Sequence, residues 1–230
     1  MKQILCFGDS NTYGLIPGTK DRYDVNTRWT GILNSNLNEY GYNVLEEGAV
    51  GRTSIFEDPV RPGLKGVDKL PGILQTSGDL DIAVIMLGTN DCKIFYGATA
   101  EVIGFGIRTV LHQIKSFRPK TKILLVSPIY LGDDVYDGFD LDFDERSVEV
   151  SKQLGDVYQS IASQEGIYFL RASDVVSPSA DDREHLNVEG HARFAEAVTN
   201  KIIEISRQNS VTFGDTSRQE KEKCYEKQAV

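Results

Sequence analysis

The stretch Ile4-Leu5-Cys6-Phe7-Gly8-Asp9-Ser10-Asn11-Thr12 opens as a short apolar run and stops at Gly-Asp-Ser. Such a run reads as a buried strand that delivers a serine to a tight turn. A serine hydroxyl is a poor nucleophile alone and needs an imidazole to take its proton, itself held in one tautomer by a carboxylate. Asp182-Arg183-Glu184-His185, near the other end of the chain, supplies both groups.

Two further stretches lie between these ends. Glu47-Gly48-Ala49-Val50-Gly51-Arg52-Thr53 follows the strand-like Tyr42 to Leu45, and Met86-Leu87-Gly88-Thr89-Asn90-Asp91 closes the apolar run Ile82 to Ile85. A glycine with a free backbone N–H and an asparagine with a free amide are donor types that an oxyanion hole uses. Four segments, three of them following strand ends, thus point to one chemistry.

On these residues the chain resembles the SGNH hydrolases, also called the GDSL esterase/lipase superfamily. Its four signature blocks occur in order as GDSN, GAVGRT, LGTND and DREHLNVEGH. The segments ILCFGDSNTYG, RWTGIL, DLDIAVIMLGTND and LLVSP are similar to the arylesterase and acyltransferase (perhydrolase) branch, and the resemblance spans roughly Met1 to Arg207. Asn11 stands where many members carry leucine, and Tyr13 where the acyltransferases carry tryptophan. The resemblance implies Ser10 as nucleophile, His185 as base, Asp182 as its orienting carboxylate, and an oxyanion hole from Ser10, Gly51 and Asn90. It also implies acyl transfer to alcohols beside hydrolysis, and a homo-oligomer whose neighbouring subunit shields the site, with Leu131 to Glu145 as the contact.

Composition bounds the alternatives. With 230 residues and 40% hydrophobic content, one α/β domain over residues 1–207 has ample core, and no linker divides it. Residues 208–230 are polar and charge-mixed and read as a tail outside that core. A formal net charge of −9 disfavours nucleic acid and anionic lipid as partners. Cys6, Cys92 and Cys224 form no disulfide framework, and neither a leader nor a spanning run is evident, so a cytoplasmic protein is expected.

Strand-like runs at Lys2 to Phe7, Tyr42 to Leu45, Asp81 to Leu87, Lys122 to Ser127 and Ile167 to Leu170 alternate with helical periodicity. The helical segments are Trp29 to Leu37, Val102 to Phe117, Val148 to Ile161 and Phe194 to Ile205. This alternation predicts a three-layer α/β/α sandwich around a mostly parallel five-stranded sheet, with ligands outside the carboxyl ends of the strands. A flavodoxin-like strand order is what the resemblance implies.

Other chemistry-bearing residues receive blander readings. His112 falls within a helical pattern, and His191 opens the last helix rather than serving as base. Asp181 competes with Asp182, and the family pattern selects the latter; Asp181 and Glu184 read as loop carboxylates. Asp9 and Asp91 read as turn-stabilising acids bonded to nearby backbone N–H groups. Asp140 to Glu145 has carboxylates at alternate positions but lacks the glycine and glutamate of an EF-hand, having Glu145 and Ser151 there. Gly104-Phe105-Gly106 lacks the third glycine of a dinucleotide site, and no metal or cofactor is indicated.

The sequence therefore reads as a serine esterase for small acyl esters. A carbohydrate O-acetylesterase is the alternative of the same mechanism. An FMN-binding flavodoxin-like carrier, with Ser10 to Gly14 as its phosphate loop, leaves Asn90 and the Asp-x-x-His pair without a task.

Overall fold

The computed structural model describes the backbone of residues 1–226 and the side chains of residues 1–207. Five strands, β1 (Lys2–Gly8), β2 (Tyr42–Gly48), β3 (Ile82–Met86), β4 (Lys122–Ser127) and β5 (Tyr168–Arg171), pair in parallel in the order β2-β1-β3-β4-β5. That is the flavodoxin-like order, with its switch point between β1 and β3.

The central strands are unbroken apolar runs because both faces of the sheet are covered. In β1, Leu5 and Phe7 face α3 (Gly66–Thr76), α4 (Ala100–Phe117) and α5 (Glu145–Glu165), joining Leu70, Ile107 and Leu154 in one core cluster. Ile4 and Cys6 point the other way, to α2 (Trp29–Asn38) and α6 (Val188–Glu226), where Trp29, Leu33, Phe194 and Ile202 form a second cluster. Gly104 and Gly106 are packing residues of α4: a Cβ would lie 2.6 Å from Val157 Cγ1 at the first and 2.4 Å from Ser54 Oγ at the second.

Helix α3 escapes the periodicity because Pro71 and Gly72 interrupt it. Proline has no N–H, so the carbonyl four residues earlier loses its helical donor. Here that carbonyl is Val67 O, and Gln113 Nε2 from α4 donates to it at 2.9 Å. At the other end of the chain, α6 runs past Arg207 to Glu226, and residues 227–230 of the expected tail lie outside the described residues. Among the described residues no helix is long and apolar enough to cross a membrane.

Instead of a simple turn, Ser10 begins the single-turn helix α1 (Ser10–Tyr13). The Asp9 carboxylate caps it by accepting from Asn11 N–H at 3.0 Å, and Gly14 closes it at φ 85° in the left-handed region. The strand ends leave no slack around it. A Cβ on Gly8 would stand 2.0 Å from Thr12 Oγ1 and 2.6 Å from Met86 O, and one on Gly48 2.1 Å from Tyr13 N. We therefore expect Gly8→Ala to destabilise by about 1–3 kcal/mol through overpacking, lowering the urea midpoint without changing the slope. An unchanged midpoint would show that β1 and α1 can separate freely.

Candidate active site

Three loops at the carboxyl ends of the strands, together with the one after β5, bring the distant segments together. Ser10 follows β1, Gly51 follows β2 and Asn90 follows β3, while the Asp182 to His185 loop lies between β5 and α6.

His185 Nε2 lies 2.8 Å from Ser10 Oγ, and His185 Nδ1 lies 2.7 Å from Asp182 Oδ2. An ionised carboxylate can only accept, so Nδ1 carries a proton, and in the neutral ring Nε2 is the acceptor that faces the Ser10 hydroxyl. Asp182 also accepts from the backbone N–H groups of His185 at 2.9 Å, Glu184 at 3.0 Å and Gly18 at 3.0 Å. Asp181 is spent elsewhere, accepting from Ser179 Oγ at 2.9 Å.

The electrostatics follow from that packing. Burial pushes the Asp182 carboxyl up, but the His185 hydrogen bond and charge and the two neighbouring backbone N–H groups outweigh it, leaving about 2. Burial pushes the His185 imidazole down, yet Glu184 and Asp182 outweigh it and hold the group at about 9. His191 has no such carboxylate. Burial and the His185 charge push it down to about 4; it lies in the first turn of α6, and its Nδ1 accepts the Trp29 N–H at the start of α2 at 3.2 Å.

Asn11, visible in the sequence only as a departure from the family, links the two ends of the chain. Its Nδ2 donates to Glu184 O at 3.2 Å and its Oδ1 accepts from Leu186 N–H at 2.9 Å, so one side chain grips the backbone on both sides of His185. Its own carbonyl accepts from Trp29 Nε1 at 3.0 Å.

Arg183 adopts φ 64°, a left-handed conformation that is costly for a residue with a Cβ. Its surroundings hold it there. Arg183 O accepts from Gly132 N–H at 2.7 Å, its guanidinium pairs with Asp134 at 3.0 Å, and it lies 5.4 Å from the Phe139 ring centre. The segment Leu131 to Glu145 thus packs against the Asp182 to His185 loop. Its carboxylates have structural partners: Asp142 pairs with Lys93 at 2.8 Å, Asp140 accepts from Asp142 N–H, and Asp144 caps α5.

Of the expected oxyanion donors, Gly51 has φ 80° and Asn90 Nδ2 donates to Arg52 O at 3.2 Å, which spends one of its two hydrogens and fixes the amide. The backbone N–H groups of Ser10 and Gly51 have no partner among the described residues. Asp9 stabilises its local turn, as read from the sequence, although burial pushes its carboxyl up to about 7. Asp91 does not act locally: it accepts from Ser54 N–H at 2.9 Å and from Ser54 Oγ, tying the β3 end to the loop after β2. His112, exposed on α4, lies 3.3 Å from Glu165 Oε1.

Residues 6–193 match the model of the GDSL-like lipase/acylhydrolase family. No curated protein matches the chain. Among solved structures, an aryl esterase from M. smegmatis is similar with a TM-score of 0.83 and 32% identity, over 89% of this chain and 99% of that one. A carbohydrate acetylesterase from Sinorhizobium meliloti gives a TM-score of 0.83 and 32% identity, over 89% of this chain and 100% of that one. With Ser10, Gly51, Asn90 and His185 standing in the four blocks of the SGNH pattern, the chain belongs to the GDSL-like lipase/acylhydrolase family and is a carboxylic ester hydrolase of that class.

Proposed function

We propose that the chain hydrolyses small acyl esters through an acyl-enzyme on Ser10. The observation that carries this reading is the unbroken line Ser10 Oγ, His185 Nε2, His185 Nδ1 and Asp182 Oδ2, with links of 2.8 and 2.7 Å. In this mechanism Ser10 Oγ attacks the ester carbonyl as its proton passes to Nε2. The carbonyl oxygen, now an anion, accepts from the Ser10 and Gly51 N–H groups and from the second hydrogen of Asn90 Nδ2. Collapse breaks the bond to the alcohol oxygen, which leaves with the proton from Nε2. Water repeats the sequence and frees Ser10.

Both an aryl esterase and a carbohydrate acetylesterase are equally similar to the chain, which supports a short acyl group and leaves the alcohol as the variable part. Exposed Phe139, which faces Arg183, and exposed Leu141 and Ile94 on and against the segment Leu131 to Glu145 support a cover from a second copy, and with it acyl transfer to alcohols in competition with water. The free, buried Cys6 and Cys92 support a cytoplasmic setting.

Three measurements test the mechanism. Ser10→Ala is expected to lower ester turnover by on the order of 10⁴-fold and to abolish fluorophosphonate labelling; a label mapped to another serine sinks the assignment. Asp182→Asn is expected to cost far more turnover than Asp181→Asn, because only the former holds the imidazole. Equal, mild effects would mean that the orienting carboxylate is wrongly drawn. Third, Nε2 must be unprotonated to act as base, so kcat/KM for phenyl acetate should rise with pH to an inflection near 9. An inflection at the ordinary histidine value of 6.5 would contradict the carboxylate environment described above.

A further inference from the structure

Glu184 has a place that the triad does not use. It is only 7% exposed, and its carboxylate makes no hydrogen bond to any described residue. The group that it approaches is the base itself, with Oε1 3.8 Å from His185 Nε2. The other charges around it do not satisfy it. Lys93 lies near enough to be felt but is engaged by Asp142 at 2.8 Å, and Asp140 and Asp182 are of like sign. Neither oxygen is fully sealed from water, but a carboxylate this enclosed is poorly solvated, and a ligand that brings a donor improves on that.

The position of Nε2 says which part of a ligand this is. If Ser10 and His185 act as proposed above, on which this inference rests, Nε2 hands its proton to the departing alcohol oxygen. A group 3.8 Å from Nε2 therefore flanks the alcohol rather than the acyl chain. A hydroxyl on the carbon next to the esterified oxygen is within reach of it. A cationic group there is disfavoured, because it would sit beside the imidazole just when that ring carries a proton.

We propose that Glu184 is a specificity-determining residue whose carboxylate accepts a hydrogen bond from a free hydroxyl neighbouring the ester oxygen. The enzyme then takes acyl esters of polyhydroxy alcohols, sugars included, ahead of esters of simple alcohols. A site built to bond a hydroxyl discriminates strongly against the analogue that lacks it.

The test uses three acetates with the same acyl group: 2-hydroxyethyl acetate, ethyl acetate and the trimethylammonium analogue of the former. Its readout is the ratio of kcat/KM values within each variant, measured above the His185 inflection, so that any general loss through the imidazole divides out. For the wild type the hydroxyethyl to ethyl ratio should be about tenfold or more, as expected for a hydrogen bond to a charged acceptor. Glu184→Leu should bring it to about one, while the isosteric Glu184→Gln, which keeps an acceptor oxygen, should retain part of the preference. A wild-type ratio near one, a preference kept by Glu184→Leu, or a preference for the cationic ester would each overturn the proposal. Absence of turnover of all three esters by a wild type that also fails to label with fluorophosphonate would sink the esterase mechanism first, and the proposal with it.

Discussion

The carboxylate of Asp182 is the interaction on which the site depends. One oxygen takes the imidazole N–H and the Gly18 N–H, and the other takes the backbone N–H groups of Glu184 and His185. A carboxylate with four donors holds a loop as well as a ring. The loop needs that hold, since Arg183 inside it is left-handed and since His185 must meet a serine 175 positions away. Asn11 supplies the second grip, and because Asn11 is the next residue after Ser10, a single side chain fixes Ser10 and His185 relative to one another.

Three acids surround one imidazole, and their ionisation pulls in different directions. Asp182, held at about 2, stabilises the fold above the ordinary carboxylate value of 3.8 and loses this as pH falls through 2. His185, held at about 9, contributes stability below 6.5 that disappears as pH rises through 9. Asp9 behaves oppositely to Asp182: burial raises it to about 7, so its contribution is complete below 3.8 and gone above 7. On the role proposed for His185, the alkaline range in which it acts is one in which two of these contributions have been given up, a local form of the tension between stability and activity.

What could be read in the sequence follows from periodicity and from motif order. The central strands β1, β3 and β4 were legible because two-sided burial writes continuous apolar runs, while the edge strands β2 and β5 showed as shorter ones, and the four blocks fell in order at the ends of these segments. Helix α3 was not legible, since its interior Pro71 is compensated by Gln113, 46 residues beyond the Val67 carbonyl that it serves. Asp91 was read as a local cap because nothing in its neighbourhood announces Ser54, and Glu184 as a loop carboxylate because exposure cannot be told from a string of letters. Long-range hydrogen bonds have no local signature, and that is where sequence reading stopped.

The 175-residue separation between Ser10 and His185 also has a consequence for biogenesis. β1 lies inside the sheet, yet each of its neighbours is made after it, and His185 arrives only after β5 has been synthesised. Parallel pairing of this kind is rich in non-local contacts and slow to close. A nascent or truncated chain therefore carries Ser10 long before it carries His185 and Asp182, and the three meet only when the last layer of the protein has docked.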